Sequence, residues 1–259
     1  MKSLALKLAL MALGSVAGCF GQLSIGVQSY AGFSPSAPVS PGSVISIYPA
    51  GQNFSNVTLT TAQALPLPRE LNNVRVRIAG ADAPLYFVAP GQINAIVPLA
   101  TPTTGRQTVE VVQGGNVIAS GSVLVFDWAP VLASLSATPD RPGIVQNFSQ
   151  NPQAPPTNSQ ANPARRGDVL TIYASGCGPV NPAVPDGAPA SGVSSVTGTV
   201  RVYFAAAEVT PTFAGANQIP GICQINAAVP DHPSVINGQV PLYFTVNGIE
   251  SNYVTIWVQ

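Results

Sequence analysis

Charged residues are scarce in this chain of 259 residues, and those it has are unevenly placed. Only 8% of the residues are Asp, Glu, Lys or Arg, and the formal net charge at pH 7 is zero. The two lysines, Lys2 and Lys7, lie at the N-terminus, and the largest basic cluster elsewhere is Arg165 and Arg166. Binding to nucleic acid needs a concentration of positive charge, so this composition argues against a nucleic-acid partner.

Side chains that commonly act in catalysis are also few. The single histidine, His232, lies in a turn-like stretch beside Asp231, and the ten acidic residues form no close pair along the sequence. A glycosidase needs two facing carboxylates, a calcium loop needs several oxygen ligands, and a histidine base needs an orienting partner. We therefore predict no catalytic residue, no metal site and no cofactor, and we expect that the protein is not an enzyme.

No apolar run is as long as the roughly 20 residues that a membrane-spanning helix needs. The N-terminus, MKSLALKLALMALGSVAGC, instead places two lysines before a short apolar stretch and a group of small residues. This order predicts a cleavable export signal over residues 1–21. Its end, from Val16 to Cys19, resembles a bacterial lipobox. One alternative is a lipid anchor on Cys19, the one predicted membrane attachment, and the other is ordinary cleavage near Gly21 or Gln22.

Only three cysteines are present, and export leaves Cys177 and Cys223 as the two that can pair. Thiols in an exported protein meet an oxidising environment, which predicts a disulfide between them. The alternative is a pair of buried free thiols. A catalytic thiol is disfavoured because the only histidine that could serve it, His232, lies between Asp231 and Pro233.

Glycine and proline are abundant, with 24 and 26 residues, and 46% of the residues are hydrophobic. Disordered chains combine turn-forming residues with low hydrophobicity and high net charge, and this chain has neither property. In the segment 74–78, valine and isoleucine alternate with arginine, which is the two-residue period of a strand. Gly114–Gly115 and Asn247–Gly248 fit tight hairpin turns, and residues 120–126 and 253–258 are the expected return strands. The sequence predicts an all-β fold.

Several segments of the chain occur twice, in the same order. PGSVISIY (41–48) matches RGDVLTIY (166–173), VRVRI (74–78) matches VRVYF (200–204), PGQINAIVP (90–98) matches PGICQINAAVP (220–230), and VEVVQGGN (109–116) matches LYFTVNGI (242–249). Matching order, with length differences confined to Gly- and Pro-rich turns, indicates duplication of one folded unit. Short strands separated by turns then predict two tandem immunoglobulin-like β-sandwich domains, at residues 22–130 and 131–259, with residues 143–148 as an early strand of the second.

The repeated QINA motif puts two amides on one face of a strand: Gln92 with Asn94 in the first copy, and Gln224 with Asn226 in the second. One interpretation is a pair of amides aligned to bind sugar hydroxyls. The other is a structural role, in which the amides satisfy backbone groups of the preceding loops. Repetition in both units favours the structural role.

The aromatic residues also allow either a binding role or a structural role. The two LYF segments, at 85–87 and 242–244, together with Trp128 and Trp257, could form a stacking platform for glycans or for a partner. Aromatics that alternate on strands more often fill the core and pack across strands. The tryptophans lie near strand ends, where a partly exposed indole is expected.

A family resemblance rests on consecutive motifs that cover about residues 25–259. They are SPGSVISIY, APLYFVAPGQINAIVP, NPARRGDVLTIYASGCGPVNPA, GICQINAAVP and VNGIESNYVTIWVQ. This series resembles the Solibacter C-terminal domain family found in secreted acidobacterial proteins. The resemblance implies tandem immunoglobulin-like units related to the IPT/TIG group, and it brings no catalytic residue with it.

The expected function is therefore that of an exported, non-catalytic module for adhesion, assembly or protein interaction, at the cell surface or outside the cell. Strand edges and the loops 49–72 and 176–198 are the expected contact regions, because recognition usually resides on loops held by a scaffold. The alternative is a carbohydrate-binding module for extracellular polysaccharide. The sequence names neither a protein partner nor a glycan.

Overall fold

The computed structural model describes residues 23–29, 37–136, 138 and 140–259. Regular structure in these residues consists of strands, with one short 3-10 helix at Phe148–Gln150. The predicted all-β fold class is confirmed. None of the described helical structure is long and apolar enough to cross a membrane. Residues 1–21 and Cys19 lie outside the described residues, so the export signal and the lipid anchor stay predictions.

The first half of the chain is one folded-over sheet of nine strands, in the order β3-β6-β7-β2-β1-β9-β8-β4-β5. Its strands are β1 (Leu23–Ser29), β2 (Val44–Pro49), β3 (Thr60–Thr61), β4 (Val74–Ile78), β5 (Ala81–Asp82), β6 (Leu85–Ala89), β7 (Gln92–Ile96), β8 (Gly105–Gln113) and β9 (Asn116–Val125). Strand β1 pairs antiparallel with β2 and parallel with β9, so it joins the two layers of a sandwich.

The second half has two separate sheets. Its strands are β10 (Val131–Leu132), β11 (Val145–Asn147), β12 (Val169–Ser175), β13 (Val180–Asn181), β14 (Ser195–Val196), β15 (Val200–Phe204), β16 (Ala207–Val209), β17 (Phe213–Ala216), β18 (Cys223–Ala228), β19 (Gly238–Val246), β20 (Ile249–Glu250) and β21 (Val254–Val258). One sheet runs β10-β12-β18-β17-β14-β13, with β11 also on β12, and the other runs β16-β15-β19-β20, with β21 also on β19.

Strands built from the repeated segments have the same partners in both halves. Strand β2 pairs with β7, as β12 pairs with β18, and β4 pairs with β8, as β15 pairs with β19. The turn after β4 and the turn after β15 even share a left-handed alanine, Ala79 with φ 49° and Ala205 with φ 52°. The predicted hairpin at Gly114–Gly115 joins β8 to β9, and the one at Asn247–Gly248 joins β19 to β20.

Each half has its own apolar core, because alternate strand residues point inward. In β4 the buried Val74, Val76 and Ile78 alternate with partly exposed arginines, and β15 repeats this pattern around the fully buried Phe204. One core cluster draws on residues 27–125 and the other on residues 132–258. The domain boundary at residue 130 stays a prediction.

Exposed strand edges are short in the described parts of all three sheets. The terminal strands β3, β5, β10, β13 and β20 have two residues each, and β16 has three. The longer β21 is covered, because Gly143 and Ala164 donate backbone hydrogen bonds to its carbonyls and Asn158 accepts one from its backbone. Edges of this length offer little backbone to an added strand, so sheet faces and loops are the better contact surfaces.

Candidate functional site

Cys177 and Cys223 form a disulfide, as the sequence predicts. Cys177 follows β12 and Cys223 opens β18, and both are buried, with exposures of 4% and 6%. The bond therefore ties a glycine- and proline-rich loop to a central strand of the second half.

That loop, residues 176–188, packs against the first half and is called the interface loop below. The Leu67 amide donates to the Gly187 carbonyl at 2.8 Å, and the Leu99 amide donates to Asp186 Oδ1 at 2.9 Å. A Cβ on Gly187 would lie 2.9 Å from Pro84 Cβ, so the backbone approaches the first half closely. Part of the predicted recognition loop 176–198 is thus occupied in holding the two halves together.

An apolar contact reinforces these hydrogen bonds. Val44, Leu67 and Ile96 of the first half are almost fully buried, and Ile222 of the second half packs on them. The Val44 amide donates to Ser175 Oγ across the contact at 3.1 Å, and the Tyr86 hydroxyl donates to the Pro220 carbonyl. Directed bonds combined with buried apolar surface fix the relative position of the contacting segments.

A cavity of about 460 Å³ opens beside this contact and is lined by both halves. Trp128, on the segment that connects the halves, forms one wall, and the Cys177–Cys223 disulfide belongs to another. No sequence pattern indicates this cavity, because its walls come from segments far apart along the chain.

The first QINA motif forms a small, largely buried network of side chains on the face of β7 that points away from the first core. Gln92 Nε2 donates to Asn94 Oδ1 at 2.7 Å, and Ser46 Oγ on the neighbouring strand donates to the same oxygen at 2.9 Å. The alternate residues Ile93 and Ala95 enter the core, as the strand period requires. The amides thus bond to side chains, not to the loop backbone that sequence reasoning assigned to them.

The second QINA motif has the same internal bond. Gln224 Nε2 donates to Asn226 Oδ1 at 3.0 Å, and Gln224 Oε1 accepts from Asn217 Nδ2 at 2.8 Å. Asn217 Oδ1 in turn accepts the Ile219 amide at 2.9 Å, so this copy reaches the loop backbone through one further side chain. Amides that bond to one another have fewer donors and acceptors left for a sugar.

Three tyrosines form a cluster on the outer face of the β15–β19 sheet, which is called the tyrosine face below. Tyr203 on β15 lies opposite Tyr243 on β19, with ring centroids 4.5 Å apart and planes within 6° of parallel. Tyr253, just before β21, follows at 4.7 Å with a tilt of 42° and is 51% exposed. Stacked rings hide their faces from solvent and present edges and hydroxyls, so they do not make a flat coplanar row.

Charged side chains surround the tyrosine face. Glu208 on β16 accepts a hydrogen bond from the Tyr203 hydroxyl at 2.9 Å and pairs with Arg201 at 3.1 Å. This hydrogen bond raises the pKa of Tyr203 above its ordinary value of 10.0, because the bound phenol must stay protonated to donate. Desolvation, followed by the charge of Glu250, raises the pKa of Tyr253 in the same direction.

A pH titration tests this arrangement. In Glu208→Gln, we expect the pKa of Tyr203 to fall toward its ordinary value, because the negative charge that opposes the phenolate is gone while Arg201 remains. NMR of ¹³C-labelled tyrosine rings reports each phenol separately. Glu250→Gln is the matched control and should lower the pKa of Tyr253 more than that of Tyr203. An unchanged titration of Tyr203 in Glu208→Gln would contradict the assigned hydrogen bond.

The sequence pattern singles out the LYF segments and the tryptophans, but it does not identify this cluster. Tyr243 belongs to the second LYF, whereas Tyr203 lies on β15 and Tyr253 just before β21. The available signal for Tyr203 was the alternation in VRVYF, which places Tyr203 with Arg201 on the outer face. Tyr253 carried no such signal.

The remaining predicted residues are not brought together. Trp128 is partly buried against the second core, and Trp257 lies on β21, half-buried. His232 is exposed, and its Nδ1 contacts Ser234 Oγ at 2.8 Å within the same turn. Among the described residues, no group of three His, Cys, Asp or Glu side chains could hold a metal ion.

No protein-family model matches the chain, and no curated protein is similar to it. Among solved structures, it is similar to the surface glycan-binding protein PbSGBP-B from Prevotella bryantii, with 10% identity and a TM-score of 0.26 over 88% of this chain. The chain spans 40% of the length of that protein.

Domains 5-6 of the S-layer protein SbsC match over 90% of this chain and 98% of their own length, with 14% identity and a TM-score of 0.24. Domains 4-9 of SbsC match over 90% of this chain and 30% of theirs, with 15% identity and a TM-score of 0.20. TM-scores this low do not indicate a shared function. The resemblance to the Solibacter family stays a prediction.

Proposed function

We propose that this chain is an exported, non-catalytic module that mediates adhesion or assembly by binding a protein partner at the cell surface or outside the cell. The tyrosine face is its contact surface. The proposal rests on the cluster of Tyr203, Tyr243 and Tyr253 on the outer face of the β15–β19 sheet.

Tyrosine and arginine are enriched at the energetic centres of protein interfaces, because one side chain supplies both apolar area and a hydrogen-bonding group. The tyrosine face combines three tyrosines with Arg201. Mutual stacking and the bond to Glu208 hold Tyr203 in place before any partner arrives. A preorganised surface loses less side-chain entropy on binding, which favours affinity.

Export is supported by the disulfide and by the N-terminal pattern. Structural disulfides persist in oxidising compartments, and Cys177–Cys223 is buried between a loop and a central strand. The proposed membership of the Solibacter family points the same way. Outside the cell, the module would act through contacts and not through chemistry.

The carbohydrate-binding alternative is favoured by one observation only, the exposed ring of Tyr253. A sugar ring stacks on an open aromatic face, and a row of such faces makes a binding platform. Because Tyr203 and Tyr243 cover one another, the tyrosine face offers no such row. A protein surface, which can accept ring edges and hydroxyls, is the better fit.

The experiment identifies a partner and then measures its dependence on the tyrosine face. The exported chain captures proteins from the native extracellular material, and a candidate found by mass spectrometry is purified and titrated in a binding assay. Tyr203→Ala combined with Tyr253→Ala should weaken affinity at least about tenfold, as the loss of interface hot-spot residues does. Circular dichroism checks that the variant keeps its fold.

Leu59→Ala is the matched control, because Leu59 is 71% exposed in the first half, away from the tyrosine face. Its affinity should equal that of the unmodified chain. Equal affinity of the double tyrosine variant would reject the tyrosine face as the contact surface. Retention on a polysaccharide panel, lost in the same double variant and unaccompanied by a protein partner, would establish the carbohydrate-binding alternative instead.

A further inference from the structure

Both ends of the tyrosine face carry a glutamate. Glu208 on β16 lies directly opposite Tyr203 on β15. Glu250 on β20 lies opposite Thr245, which follows Tyr243 by two positions on β19. Opposite residues on neighbouring strands, and residues two apart on one strand, project from the same side of a sheet. Both carboxylates therefore belong to the surface that displays the tyrosine rings.

Only one of these two glutamates is balanced by a cation. Arg201 pairs with Glu208 at 3.1 Å and also donates from Nη1 to the Val200 carbonyl at 3.1 Å. Glu250 is exposed and takes part in none of the ion pairs among the described residues. Covering a carboxylate without a counterion costs free energy, so a partner that covers this surface needs a positive charge near Glu250.

The polar groups of the tyrosine face offer mainly hydrogen-bond acceptors. The Tyr203 hydroxyl donates its single hydrogen to Glu208 Oε2 at 2.9 Å, and the Tyr253 hydroxyl donates to Glu250 Oε2 at 3.4 Å. A phenol oxygen whose hydrogen is engaged can still accept, and an ionised carboxylate can only accept. The complementary group is therefore one that donates several hydrogen bonds.

The ring of Tyr253 adds an aromatic surface next to Glu250. It is 51% exposed and is tilted by 42° against Tyr243. The electron-rich face of a tyrosine ring attracts a cation. A guanidinium group is positively charged, carries five N–H donors in a planar fork and stacks on aromatic rings, whereas the ammonium of lysine has no planar surface to stack.

From these observations we infer that the tyrosine face recognises an arginine side chain of its protein partner, with the guanidinium stacked on Tyr253 and paired with Glu250. This inference rests on the proposed function and specifies the chemistry of the partner, a protein segment that presents arginine. An acidic segment or a neutral glycan on the same surface would leave Glu250 without a counterion.

Three small probes test the inference on the full exported chain: N-acetyl-arginine amide, its neutral analogue N-acetyl-citrulline amide, and N-acetyl-lysine amide. Sodium chloride keeps the ionic strength equal in all titrations, and the readout is the NMR signals of ¹³C-labelled Tyr243 and Tyr253 rings. Probe concentrations reach about 100 mM, because a single exposed contact supplies little free energy.

The arginine probe should shift the Tyr253 signals saturably. The citrulline probe should bind at least about fivefold more weakly, because it lacks both the ion pair and the cation–π contact. The lysine probe should bind at least about twofold more weakly than the arginine probe, because it keeps the charge but cannot stack as a plane.

Two variants should weaken the arginine probe. Glu250→Gln removes the counterion and Tyr253→Leu, read on Tyr243, removes the ring, and each should lower the affinity about two- to fivefold. Asp127→Asn is the matched control, because Asp127 is another exposed carboxylate without an ion pair in the described residues, on the connection between the halves. Its affinity for the arginine probe should be unchanged.

The inference is overturned if the arginine probe gives no saturable shift, if the citrulline or lysine probe binds as tightly, or if Glu250→Gln has no effect. Its failure can be told apart from failure of the proposed function. A partner that is lost in the double tyrosine variant, without any binding of the arginine probe, would support the contact surface and reject arginine recognition. Binding of the arginine probe, with a partner that the double tyrosine variant retains, would support arginine recognition and reject the proposed function.

Discussion

Replacing both Cys177 and Cys223 with alanine is expected to lower the free energy of unfolding of the second half by about 4 kcal/mol. The bond spans a sequence separation of 46, and closing a loop of that length removes about this much conformational freedom from the unfolded chain. Net stabilities of folded domains are about 5–15 kcal/mol, so the loss is a large share of the total. Urea unfolding followed by tryptophan fluorescence measures it, because Trp128 packs on the core of the second half and Trp257 lies on β21.

Reducing agent provides the control for this prediction. The unmodified chain should lose comparable stability when reduced, whereas the double alanine variant should not respond to reductant at all. A variant as stable as the oxidised chain would show that native packing, not the bond, holds the interface loop.

Replacing Gly176 with alanine is expected to destabilise the protein by about 3 kcal/mol or more, in the range of severe backbone and packing defects. Gly176 has φ +73°, and an added Cβ would lie 1.9 Å from the carbonyl oxygen of Ala129. The Ala129 amide donates to the Gly176 carbonyl at 3.1 Å, so relieving the clash must break a bond at the connection between the halves. Thermal and urea unfolding measure the loss.

Gly167→Ala separates the two causes of this effect. Gly167 has a similar backbone conformation, φ +87°, but no atom lies within 4 Å of its added Cβ. It should therefore cost only about 1 kcal/mol, the penalty of left-handed backbone for a residue with a side chain. Equal losses in the two variants would mean that Gly176 is needed for its backbone angle alone, and not for the close contact with Ala129.

The repeat in the sequence predicted that the matching segments form corresponding strands, because strand formation follows from local information. A two-residue apolar period determines which side of VRVRI enters the core, and glycine or asparagine marks each hairpin. The disulfide was favoured in advance, since the predicted loss of the export signal leaves only two cysteines to pair. The hydrogen bonds of the QINA amides were predicted less well, because a partner such as Ser46 lies on another strand.

The sequence by itself determined the all-β class and the duplicated strand order, and it favoured a Cys177–Cys223 bond over two free thiols. These depend on spacing and periodicity along one chain. Only the tertiary structure decided that the interface loop packs on the first half, that three tyrosines meet on one sheet face, and that Thr101 and Trp128 line a common cavity. Each of these arrangements joins residues far apart in sequence, and their positions follow from how the sheets pack and not from any local pattern.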